Sequence, residues 1–97
     1  VFGMMRDKDI AAVVAATKHR VDRWLPATLA GPRGAAATEL ASILRAAGVA
    51  EPLPTFDSPA LAFARAREQA DENDRIIVFG SFLTVADVLR ALGRAAS

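Results

Sequence analysis

With 97 residues, the chain is long enough for one domain with a modest core and too short for two. Apolar residues make up 53% and charged residues 24%, and 12 scattered basic side chains against 11 acidic ones give no reason to expect nucleic acid as a partner. With no cysteine, disulfides and thiolate metal sites are excluded. No stretch is long and apolar enough to cross a bilayer and no signal peptide is visible, so a membrane is not expected and a cytoplasmic location is compatible.

The elements repeat one pattern four times. VFGM, residues 1–4, reads as a short strand, and DKDIAAVVAATKHR after it sets Ile10, Val13, Val14 and Thr17 at helical spacing. The chain begins inside this strand and without Met, which raises the expectation of a piece of something larger. VDRWLPATLAG, residues 21–31, is the second extended stretch; Pro26 lacks an N–H, so a bulge, an edge or imperfect pairing is expected there. After the GPRGA loop, ATELASILRAAG repeats the helical pattern through Leu40, Ile43, Leu44 and Ala47, with Gly48 as its stop.

The third strand is the weakest, a few residues at an edge within PLPTF. DSPALAFARAREQA then starts a helix well. Ser58 can cap it, and Pro59 falls in the first turn, where a missing N–H costs nothing. DENDR reads as a polar connection, its Asp71, Glu72 and Asp74 solvated rather than gathered on a metal. RIIVFG is the most apolar strand and lacks alternation, so both its faces are expected to be covered. The last helix carries Val85, Val88, Leu89 and Leu92 on one side.

Four alternations of strand and helix predict an α/β fold: a Rossmann-like, three-layer parallel sheet with helices on both faces, joined by right-handed crossovers. In such a fold every strand-to-helix loop reaches the same rim, at the carboxyl ends of the strands. GMMRDKD, GPRGA, FDSP and GSFLT therefore meet at one edge, where ligands bind.

Asp7 and Asp9 suit a helix N-terminus, as cap and first-turn carboxylate. Lys8 between them does not, because a cation there meets the positive end of the helix dipole, a cost of about 0.3–1 kcal/mol. Either Lys8 is a solvated lysine between capping acids, or its ammonium points across the rim at a carboxylate or phosphate. Gly80 permits a tight strand exit. Ser81 offers a hydroxyl and an N–H, for an anion or for capping the last helix; Thr84 is expected to be the cap. GSFLT is neither G-x-G-x-x-G nor a P-loop. Arg33, set between glycines and a proline, can pair bidentately with an acid or simply lie on the surface.

His19, the only histidine, reads as a helix C-terminal residue favoured by the dipole, and Trp24 as packing. No self-sufficient catalytic set and no metal-ligand cluster is visible. On residues alone, a non-catalytic α/β small-ligand-binding or signalling module remains an alternative, although VFGM lacks the acids a receiver domain needs before Arg6.

VFGMMRDKDI, VDRW, LAGPRGA, FDS and VFGSFLTVADVL occur in order across essentially the whole chain. With these blocks the sequence resembles the C-terminal domain of the bacterial bifunctional dihydrofolate synthase/folylpolyglutamate synthase family, relatives of the Mur ligases. The resemblance implies a single domain, residues 1–97, that closes a three-part ATP-dependent ligase and is inactive alone. ATP and Mg2+ would act in the full-length enzyme, with neither held by this piece. Its partners would be the remaining N-terminal and central ATPase part and the small molecules L-glutamate, dihydropteroate and folates. The family's Asp-x-Ala-His-Asn-Pro motif, its P-loop and about two further strands would lie upstream of Val1. The resemblance puts Lys8, flanked by Asp7 and Asp9, and Ser81 beside the incoming amino acid, with Arg33 and Thr84 as weaker candidates.

Overall fold

The computed structural model describes residues 1–93. Its helices come in the expected order: α1 (Ile10–Thr17), continued by a 3-10 turn (Lys18–Arg20), α2 (Ala37–Ala46), α3 (Pro59–Gln69) and α4 (Phe82–Ala91). Local side-chain caps start α1, α3 and α4, whereas α2 starts without one, its Ala37 N–H donating to Thr28 Oγ1 at 2.8 Å. Ser58 caps α3 by accepting the Leu61 N–H at 3.2 Å, with Pro59 at the first helical position. The α2 helix closes where the Val49 N–H returns to the Leu44 carbonyl at 3.0 Å, and Lys18 Nζ donates to the Ala47 carbonyl at its C-terminal end.

The strands differ from expectation. Among the described residues the extended segments meet only at isolated bridges. Phe2 bridges Pro26 and Phe79, and Ala27 bridges Phe56, all in parallel; Met5 bridges Gly34 in antiparallel sense. The expected regular sheet is thus reduced to four bridge-linked segments, ordered fourth, first, second, third, with the parallel sense kept.

Phe2 donates to the Leu25 carbonyl at 3.1 Å and accepts from Ala27 at 2.8 Å, while Phe79 donates to the Val1 carbonyl at 3.0 Å. Pro26 shows why the ladder stays short. Its carbonyl accepts from Phe56 at 3.0 Å, so the place of its missing N–H also faces the third segment, and pairing there begins only at Phe56.

Side chains alternate along these segments. Phe2, Met4 and Trp24 join Ile10 and Val14 of α1 and Leu40, Ala41 and Leu44 of α2 in one buried cluster. Val1, Leu25 and Ala27 join Ala62 and Ala66 of α3 in another. Period-two alternation therefore feeds two cores, one with α1 and α2, the other with α3.

Two burial expectations need correction. Ile76 and Val78 pack toward α3, but Ile77 is 53% exposed, so the fourth segment is covered on one face only there. On α4 the buried residues are Thr84 and Val88, and Leu89 is 38% exposed. The reason is the same in both cases: an apolar run constrains period but not which neighbour arrives.

The Val1 nitrogen donates to the Ile77 carbonyl at 2.8 Å, which adds to the pairing of the first and fourth segments. No helix among the described residues is long and apolar enough to cross a membrane.

Candidate functional site

Three loops assemble at the carboxyl end of the bridged segments. The loop after the first segment leads into α1, whose cap is Asp9 rather than Asp7: Asp9 Oδ1 accepts the Ala12 N–H at 3.1 Å. Asp7 instead lies exposed in the preceding turn, beside exposed Lys8. Burial of Ile10 as the first helical residue sets this frame, because the cap must immediately precede it.

The loop after the fourth segment reverses a second expectation. Ser81 is the cap of α4, its Oγ accepting the Leu83 N–H at 3.2 Å. Thr84, expected in that role, is fully buried and its Oγ1 donates to the Gly3 carbonyl at 2.8 Å. Gly80 makes this possible: it sits at φ +111°, and a Cβ there would lie 2.5 Å from the Gly3 oxygen. The start of α4 is thus locked onto the first segment, so the Lys8 and Ser81 loops leave adjacent parallel segments at one end.

The third loop carries Arg33. The Arg6 N–H donates to the Arg33 carbonyl at 2.6 Å and Gly34 bridges Met5, which places the GPRG turn against the first loop. Arg6 itself is committed: its Nη2 and Nε donate to the two Glu39 oxygens at 2.9 and 3.4 Å. The Arg6 hydrogen bond holds the Glu39 carboxyl below its ordinary range. Lys8 and Arg33, both exposed, form no salt bridge among the described residues. Their charges are available to an anion, and Ser81, already accepting from Leu83, keeps a hydroxyl proton to donate.

Two participants escape a reading of local sequence. The Arg6–Glu39 pair spans 33 positions, and Asp87 Oδ2 accepts the Ala60 N–H at 2.9 Å across 27, joining the first turn of α3 to α4. Neither leaves a periodic signal. Phe82, immediately after Ser81, is 84% exposed although it precedes Val85 by three positions and Leu89 by seven, so helical spacing gave no sign of its exposure.

The opposite end holds two cavities of about 530 and 620 Å3, both lined by Trp24 and neither by Lys8, Arg33 or Ser81. Trp24 Nε1 is buried without a hydrogen-bond partner there, and exposed His19 lines the smaller cavity. Among the described residues no group of three or more His, Cys, Asp or Glu is placed to hold a metal ion.

The family model described as Mur ligase, glutamate ligase domain matches residues 1–82. The dihydrofolate synthase/folylpolyglutamate synthase of Escherichia coli K12 is 42% identical over 92 residues, covering 95% of this chain and 20% of its own length. That of Haemophilus influenzae is 34% identical over 87 residues, covering 90% and 20%. A crystal structure of bifunctional folylpolyglutamate synthase/dihydrofolate synthase from Yersinia pestis, complexed with AMPPNP and Mn ion, superposes with a TM-score of 0.85 at 43% identity, over 96% of this chain and 21% of its own. Another structure of such a synthase, with Mn, AMPPNP and L-glutamate bound, gives a TM-score of 0.86 at 43% identity over the same shares. The chain spans about a fifth of the length of the relatives it matches. A family match across residues 1–82 leaves no ground for the signalling-module alternative: the chain belongs to the Mur ligase family, as its glutamate ligase domain.

Proposed function

We propose that this chain is the C-terminal, amino-acid-receiving domain of an ATP-dependent ligase that joins L-glutamate to dihydropteroate and to folates. The observation that carries the reading is the likeness, over 96% of this chain, to a synthase structure holding Mn, AMPPNP and L-glutamate. The four bridge-linked segments are then part of a larger parallel sheet, completed by polypeptide beyond residues 1–97. A cytoplasmic setting goes with this reading.

In the proposed reaction a carboxylate of the pteroate or folate attacks the γ-phosphorus of ATP. The acyl–phosphate bond forms and ADP leaves. The neutral amine of L-glutamate then attacks the acyl carbon, the C–N bond forms as the acyl–phosphate bond breaks, phosphate departs and the nitrogen gives up one proton to solvent. A divalent cation screens phosphate charge in such transfers. That task is assigned to the rest of the ligase.

This domain's own task is reception. L-Glutamate brings two carboxylates, and the rim offers the Lys8 ammonium, the Ser81 hydroxyl and the start of α4. Asp7 and Asp9 flank Lys8, with Asp9 already engaged as a cap; Arg33 is a second cation within the same loop cluster. Thr84 serves indirectly, by fixing α4 on Gly3. The test is formation of the glutamyl amide by the full-length protein carrying this domain, given ATP, Mg2+, dihydropteroate and L-glutamate. Amide should form with sustained phosphate release and be absent with the 97-residue chain alone; no amide product from the full-length protein would contradict the reading.

A further inference from the structure

We propose that the Arg6–Glu39 ion pair is a positioning clamp for the L-glutamate rim. It holds the turn that carries Lys8 and the turn that carries Arg33 in one arrangement, without itself touching the amino acid. This role rests on the functional reading above and gives a task to two side chains which that reading leaves without one.

Arg6 stands between the two turns. Its N–H donates to the Arg33 carbonyl at 2.6 Å, and its Nη2 and Nε reach the two Glu39 oxygens at 2.9 and 3.4 Å. Glu39 lies in the first turn of α2, the helix that follows the GPRG turn. One arginine therefore grips this stretch at two places, by backbone at Arg33 and by side chain where α2 begins. The neighbouring backbone is tied as well: Ala35 donates to the Met4 carbonyl at 2.9 Å, and Gly34 bridges Met5. Past Arg6 the first loop turns on short-range bonds, from the Lys8 N–H to the Met5 carbonyl at 3.2 Å and from Ile10 to the Lys8 carbonyl at 2.9 Å. Among the described residues, Arg6 is thus the last position before Lys8 that hydrogen bonds tie to a distant part of the chain.

The charges explain why a clamp is needed. Arg6, Lys8 and Arg33 bring three cations into one loop cluster, where like charges repel. Glu39 neutralises Arg6 and leaves Lys8 and Arg33, which form no salt bridge among the described residues, for the two carboxylates of L-glutamate. The Arg6 hydrogen bond keeps the Glu39 carboxyl below its ordinary range, so the pair stays ionised at neutral pH. Both partners are exposed, at 57% and 44%, so the pair adds little to overall stability. Its value lies in orientation. Two N–H groups on two oxygens fix the guanidinium plane, and that plane sets where the Lys8 and Arg33 turns stand. With Nε and Nη2 on Glu39, the edge of Arg6 that would fork a ligand carboxylate is already taken, which makes Arg6 a positioning residue.

The test is steady-state kinetics of amide formation by the full-length ligase, with L-glutamate and ATP varied separately, for Arg6→Met, Glu39→Gln and the double variant. Neither substitution removes the Arg6 N–H, so the backbone tie to Arg33 is kept. The unsubstituted enzyme should form amide with a saturable dependence on L-glutamate. Each single substitution should raise the KM for L-glutamate about three- to fivefold, the size of one exposed ion pair, while the KM for ATP stays within about a factor of two and the melting temperature hardly moves. The double variant should be no worse than either single one, because the same pair is lost in all three. A rise with Arg6→Met alone would make Arg6 a direct contact of the amino acid, and additive rises would make the two effects independent; either result overturns the clamp. So would an unchanged KM for L-glutamate, or losses in step with a lowered melting temperature. The functional reading survives all of these. No amide from the unsubstituted enzyme would overturn the reading and the clamp with it.

Discussion

Alanine at Gly80 is expected to cost about 3 kcal/mol or more of folding stability, read as a shifted urea midpoint of the 97-residue chain. Two effects add. A non-glycine residue at φ +111° stores about 1–3 kcal/mol of backbone strain. The new Cβ would also stand 2.5 Å from the Gly3 oxygen and 3.0 Å from Met4 Sδ, so backbone must move. That oxygen is the one that accepts the Thr84 hydroxyl at 2.8 Å, and displacing it leaves a buried hydroxyl unpartnered. A loss below about 1 kcal/mol would mean that α4 is not held on the first segment as described.

Phe2→Ala should be comparably severe, at about 3–5 kcal/mol. The ring is fully buried, meets Trp24 edge-on at a centroid distance of 5.1 Å and lies 5.1 Å from the Phe79 ring. Its backbone also bridges the second and fourth segments at once, so relaxation to fill the cavity would disturb both pairings. For a small domain of a few kcal/mol total stability, the variant should be largely unfolded at room temperature by near-ultraviolet circular dichroism. A native spectrum would show that the first segment is not the hub of the fold.

These expectations concern residues whose importance was unevenly legible in the sequence. The helices were legible through their 3.6-residue apolar period, as at Leu40 and Leu44 within α2, and α3 adds a local start at Ser58–Pro59. The alternation of elements also conveyed the parallel sense, which the bridges at Phe2 and Ala27 retain. Strand regularity was not legible, since it depends on neighbours. Pro26 and the prolines before Phe56 shorten the pairing, and among the described residues the fourth segment bridges a partner on one side only.

The loops divide in the same way. DKD offers two acids and GSFLT two hydroxyls, and composition cannot choose within either pair. The choice came from tertiary facts: Ile10 goes inward and makes Asp9 the cap, and Gly3 leaves room for Thr84 and makes Ser81 the cap. Arg6–Glu39 and Asp87–Ala60 lay beyond any local window. The family itself was legible only because five blocks kept their order.

We propose the rim holding Lys8 and Ser81, and not the cavities around Trp24, as the place that receives L-glutamate. Steady-state kinetics of Ser81→Ala in the full-length ligase test it most directly. Loss of a hydrogen bond to a carboxylate should raise the KM for L-glutamate about tenfold or more while the KM for ATP stays within about a factor of two. Equal rises in both constants, or no change in either, would contradict it.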